Sequence, residues 1–110
     1  MSRISVRSAP VRVRVFHEDE LLADSRDALE LSETGHALVY YLPRAHVRMD
    51  RLVRTDRRTH CPWKGDAAYF SVAGGPENAV WSYEEPLEAV RDIRERLAFY
   101  ANKVRIEVSQ

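Results

Sequence analysis

What the chain has little of narrows its class before any motif is read. It holds one cysteine, Cys61, so no internal disulfide can form and a disulfide-stapled scaffold is excluded. It has no surplus of charge. Its 17 Lys and Arg balance 17 Asp and Glu, so no global field draws nucleic acid or an acidic membrane. No apolar run approaches the ~18 residues that read as a bilayer span, so no membrane partner is expected. Met1 to Pro10 carries Arg3 and Arg7 but no apolar core, so no signal peptide is expected and the cytoplasm is the default compartment. Metal-ligand spacing is missing too. There is no Cys-x-x-Cys or His-x-x-x-His, and His17, His36, His46 and His60 are scattered, so no metal site is expected. No pattern names a cofactor or fixes an oligomeric state.

What is present is an ordinary globular composition, 45% apolar and 31% charged over 110 residues, the size of one domain. Residues 1–10 read as an N-terminal extension and 11–110 as a single β-rich domain. Val11, Val13 and Val15 alternate with Arg12 and Arg14, the period of a half-buried strand. The polar run His17 to Glu20 then turns the chain into Leu21-Leu22-Ala23, making a hairpin. Ala28–Leu31 and Ala37–Tyr41 are further strands, separated by the turn Thr34-Gly35-His36. Pro43 ends the second, and Arg44 to Leu52 has room for one or two helical turns. Ala67–Val72 and Ala79–Tyr83 flank Ala73-Gly74-Gly75-Pro76-Glu77-Asn78, which predicts a second hairpin. Pro86 opens a helix whose buried face would carry Leu87, Val90, Ile93 or Arg94, and Leu97, and Val104, Ile106 and Val108 form a last strand. The expected fold is therefore mainly β (α+β). It is a small, strongly bent sheet or partly open β-barrel with one helix of the C-terminal half packed on it.

The densest chemistry lies in Thr59-His60-Cys61-Pro62-Trp63-Lys64-Gly65-Asp66. Cys61 is a nucleophile only as a thiolate, and Lys64 or His60 would favour that form if the loop turned them together. A lone cysteine is more often a small buried hydrophobe. Tyr41, Tyr69, Trp81 and Tyr83 are either core filling or the walls of a concave site. Arg44, Arg48, Arg51, Arg54, Arg57 and Arg58 crowd one stretch against only Asp50 and Asp56. That is either a mixed solvated surface or a local anion site.

The pieces Tyr40-Tyr41-Leu42-Pro43, Thr59 to Gly65 with Ala68-Tyr69, Ala79-Val80-Trp81-Ser82-Tyr83-Glu84-Glu85-Pro86 and Leu97-Ala98-Phe99-Tyr100 occur in one order along most of the chain. In this the sequence resembles the domain of unknown function 427 family, small proteins sometimes labelled nucleotidyltransferase-like. The resemblance implies a compact, barrel-like fold of mixed strands with a helix. It also implies a shared pocket of Tyr41, Cys61, Lys64, Tyr69, Trp81 and Tyr83. Nucleotidyl transfer normally gathers Mg²⁺ on carboxylates, and Asp66 with Glu84-Glu85 is not an evident two-carboxylate set.

The leading functional expectation is a small-molecule pocket, catalytic or binding. Cys61 and Lys64 would be its reactive groups, with Tyr41, Arg44, Arg58, Tyr69, Trp81 and Tyr83 holding an anionic ligand. A protein or peptide interaction module with an aromatic face is the alternative. An RNA-binding barrel is the third reading, against which the zero net charge counts.

Overall fold

The computed structural model describes residues 3–110. Ten strands form three antiparallel sheets. They are β1 (Ile4–Ser8), β2 (Arg12–His17), β3 (Glu20–Ser25), β4 (Leu29–Glu33), β5 (Val39–Tyr41), β6 (Leu52–Cys61), β7 (Gly65–Val72), β8 (Val80–Tyr83), β9 (Ala98–Phe99) and β10 (Arg105–Ser109). The sheet orders are β1-β4-β5, β10-β2-β3 and β6-β7-β8-β9.

The four-stranded sheet connects the other two through the period of two along its strands. On β7 and β8, Phe70, Val72 and Val80 join a core shared with Val13 and Val15 of β2 and Leu22 of β3. Their neighbours Ala67, Tyr69, Trp81 and Tyr83 join a second core with Leu31 of β4 and Tyr41 of β5. Burial on both faces explains why β7 reads as a nearly continuous apolar run rather than as a strict alternation.

Both expected hairpins are present. β2 pairs with β3 through a turn at Glu18 and Asp19, and Glu18 takes a positive φ of 54°. β7 pairs with β8, Ala67 with Tyr83 and Phe70 with Val80, across the Gly74-Gly75-Pro76 turn. β6 runs continuously from Leu52 through Arg57–His60 to Cys61. It carries an irregularity between Arg54 and Arg58. Of the stretch read as an extension, Ile4–Ser8 is a strand paired along its length to β4, and Met1 lies outside the described residues.

Two expectations need correcting. The sheets do not close into a barrel. The long helix after Pro86 is also absent. In its place is a short 3-10 segment, Glu88–Ile93, broken at Val90 (φ −125°, ψ 27°). Arg94 (φ −48°, ψ 127°) and Glu95 (φ 63°) take the chain out of helical geometry ahead of β9. Val90, Ile93 and Leu97 are buried as the spacing required, whereas Leu87, expected on the same face, is 44% exposed. A spacing of three to four residues is met as well by two tight turns followed by a strand as by an α-helix. Arg44–His46 and Met49–Arg51 are likewise single 3-10 turns.

Candidate functional site

A cavity of about 450 Å³ lies where the three sheets meet. β2 and β10 supply Val15 and Ile106, and β4 and β5 supply Leu31, Glu33, Val39 and Tyr41. The four-stranded sheet supplies Tyr69, Trp81, Tyr83 and Phe99. His36, Ala37 and Leu38 line it and are themselves exposed, so they form its mouth. The wall is therefore mostly aliphatic and aromatic, as small-molecule sites usually are.

The aromatic part is ordered by ring packing and one hydrogen bond. Trp81 Nε1 donates to the Tyr41 hydroxyl at 3.2 Å, and their rings meet edge to face at 6.3 Å. Tyr100 packs on Trp81 with centroids 4.4 Å apart and planes tilted by 42°. Burial raises the Tyr41 and Tyr83 phenols above the usual range, so both stay protonated hydroxyls. Burial also pushes Tyr100 up, to about 12. Burial acts upward on Tyr69 too. There the hydroxyl contact with Thr59, at 2.9 Å, and the nearby Tyr100 and Arg57 outweigh it and bring that phenol down. The Arg57 guanidinium lies 4.9 Å from the Tyr69 ring centre.

The polar part is an ion pair. Lys64 Nζ donates to Glu33 Oε1 at 2.9 Å, and the two side chains are only 13% and 9% exposed. Both line the cavity. Lys64 reaches it because Pro62, Trp63 and Lys64 form the tight turn between β6 and β7, with Lys64 N–H bonded to Cys61 O at 3.2 Å. Gly65 makes this turn possible. Its φ is 110°, and a side chain there would meet the backbone at Glu85 and Leu87. The second Glu33 oxygen lies 3.9 Å from His36 Nε2, beyond hydrogen-bond length.

Tyr41, Lys64, Tyr69, Trp81 and Tyr83 thus come together around one cavity, and Cys61, Arg44 and Arg58 are not among its lining residues. Cys61 is half-buried against the second core. His60 and Asp66 sit opposite one another on β6 and β7 and bond to each other at 2.7 Å, both exposed. Successive strand residues point to opposite faces, so His60 is aimed away from Cys61. Arg58 is exposed on β6. Arg44 belongs to a different cluster, donating to Glu84 at 2.9 Å and to the Ser82 hydroxyl at 3.2 Å. Arg54 grips the same Glu84 with two bonds, at 3.1 and 2.6 Å. Those guanidinium bonds hold the Glu84 carboxyl down at about 2.

Glu33 is the site residue that sequence reasoning missed. It ends β4 beside the Thr34-Gly35-His36 turn, and its partner is 31 positions away. No local pattern links the two. The crowded arginines are mostly matched: Arg44 and Arg54 by Glu84, Arg48 by Asp50 and Arg51 by Glu20. Among the described residues, no three His, Cys, Asp or Glu side chains gather to hold a metal ion, and no helix is long and apolar enough to cross a membrane.

No curated protein matches the sequence. The model of the family described as Domain of unknown function (DUF427) matches residues 5–110, from β1 to the end of β10, so the whole constellation around the cavity lies inside the match. The chain belongs to the domain of unknown function 427 family.

Proposed function

We propose that the protein binds a small, largely apolar molecule in the cavity between its sheets. One observation carries this reading: a cavity of about 450 Å³ walled by Tyr41, Tyr69, Trp81 and Tyr83 also contains the Lys64–Glu33 pair. Side chains that merely filled a core would leave no such volume, because interiors pack closely. The pair gives the cavity one polar point, enough to orient a ligand.

The expected anionic ligand is not favoured by this arrangement. Lys64 is already neutralised by Glu33, and Arg44 and Arg58 are elsewhere. An incoming anion would meet the Glu33 charge as soon as it met the ammonium. The proposal is of binding, and Cys61 chemistry has no part in it. An interaction module is less well supported, since Tyr69, Trp81 and Tyr83 turn inward and Trp63 stands exposed apart from them.

The two tryptophans allow a direct test. In Trp63→Phe, Trp81 is the only indole and reports on the cavity. Titration with the neutral dye N-phenyl-1-naphthylamine is expected to quench Trp81 saturably, with one dye per chain. Val39→Phe, which adds a ring inside the cavity, is expected to abolish that signal while a thermal melt shows an intact fold. An unsaturable signal, or one unchanged by Val39→Phe, overturns the reading.

A further inference from the structure

We infer that the ligand is a planar heterocycle with a neighbouring ring N–H and C=O on one edge, the edge of a cyclic amide. This rests on the cavity reading above and names the class of molecule it takes. Three features of the pair lead there. Taking a carboxylate and an ammonium out of water is costly, and the cost is recovered only when the remaining lone pairs and protons also find partners. Lys64 has three N–H donors, and among the described residues Nζ donates one bond, to Glu33. Among the described residues, the second Glu33 oxygen has no partner at bonding distance, with His36 Nε2 3.9 Å away. The cavity therefore presents a donor and an acceptor side by side, both with unused capacity.

A cyclic amide edge is the complement of that pair. Its N–H donates to the free Glu33 oxygen and its C=O accepts from Lys64. The group is uncharged, so it leaves the balance of the pair undisturbed, which neither a carboxylate nor an amine would do. The rest of the cavity selects a flat ring. Trp81 and Tyr100 are packed at 4.4 Å, and Tyr41 sets its edge against Trp81 with its hydroxyl already engaged. These surfaces favour an aromatic plane over an aliphatic chain through offset stacking and edge contacts.

Three probes of similar size make the test: quinolin-2-one, its N-methyl derivative, which keeps the carbonyl and lacks the N–H, and 2-naphthoate. Binding is read by Trp81 quenching in Trp63→Phe. Quinolin-2-one is expected to bind about tenfold or more tighter than the N-methyl compound, the discrimination of one hydrogen bond to a charged group. In the same background, Glu33→Met combined with Lys64→Met keeps the net charge, removes both the acceptor and the donor, and is expected to bind both compounds alike. This double variant avoids leaving a single buried charge that would unfold the protein, and the comparison on the unsubstituted pair needs no variant at all. Equal affinity for quinolin-2-one and its N-methyl derivative overturns the inference and leaves the cavity reading standing. Tightest binding of 2-naphthoate overturns it in favour of an anion site. If no probe binds and the dye fails as well, both readings fall together.

Discussion

The two faces of the four-stranded sheet hold ion clusters of opposite design. On one face Glu84 receives Arg54 through two bonds and Arg44 through a third, and Arg44 also reaches the Ser82 hydroxyl and Glu95 O. The two guanidiniums lie 4.9 and 5.7 Å from the Phe70 ring centre. On the other face Lys64 and Glu33 have one bond between them. The sparsely bonded pair is the deeper one, with side chains 13% and 9% exposed against 27% and 29% for Arg44 and Glu84. Packing for stability alone would distribute partners the other way, because the deeper charges lose more hydration. The Glu84 cluster acts as a brace of the fold, and the sparser bonding of the Lys64–Glu33 pair accords with the binding role proposed above.

The largest effect that sharpens this contrast is on aromatic truncation. Phe70 is 4% exposed beneath two guanidiniums, so Phe70→Ala is expected to cost about 3–5 kcal/mol. Trp81 has the cavity on one side, so Trp81→Ala is expected to cost nearer 1 kcal/mol. Urea melts of the two variants decide it, and equal losses would mean that the cavity face is ordinary core. Next come the acids. Glu84→Gln removes a charged acceptor from two arginines and is expected to cost about 2 kcal/mol. Replacing Glu33 and Lys64 together, by Gln and Met, is expected to be neutral or stabilising, since a desolvated pair gives way to neutral side chains. A loss as large as that of Glu84→Gln would make the pair a second brace.

The third effect is graded with pH. The folded Glu84 carboxyl is lowered from 4.5 to about 2, so its contribution is complete above about pH 4.5 and is lost as pH falls through about 2. Melts across that window are expected to fall more steeply for the wild type than for Glu84→Gln. Smallest of all is the effect at Cys61. It packs against the second core and does not line the cavity, so Cys61→Ala is expected to leave dye affinity within about twofold. A large drop would return Cys61 to the site.

Much of this was legible in the chain, and the exceptions share a cause. The β7–β8 hairpin was readable because alternation and a Gly-Pro turn are local signals. Tyr69, Trp81 and Tyr83 meet around one cavity because strand parity places 81 and 83 on one face and pairs 69 with 81. The segment after Pro86 misled because burial at Val90, Ile93 and Leu97 constrains which residues face inward, not the backbone that carries them. Glu33 stayed hidden because a charged residue at a strand end is ordinary until its partner across the fold is known. Parity likewise separates Cys61 from His60, which adjacency in the sequence had suggested as partners.

The pairing of β10 with β2 has a consequence for how the protein is made. Ile106 lies opposite Val15, and both residues face the cavity. Nine of the ten strands can leave the ribosome while that wall is still open, with β2 presenting a bare edge. That wall of the cavity therefore forms only when β2 and β10, the described pair of strands farthest apart in sequence, have paired. Under the function proposed above, a nascent or shortened chain without β10 is expected to bind more weakly, because the Ile106 wall of the cavity is missing.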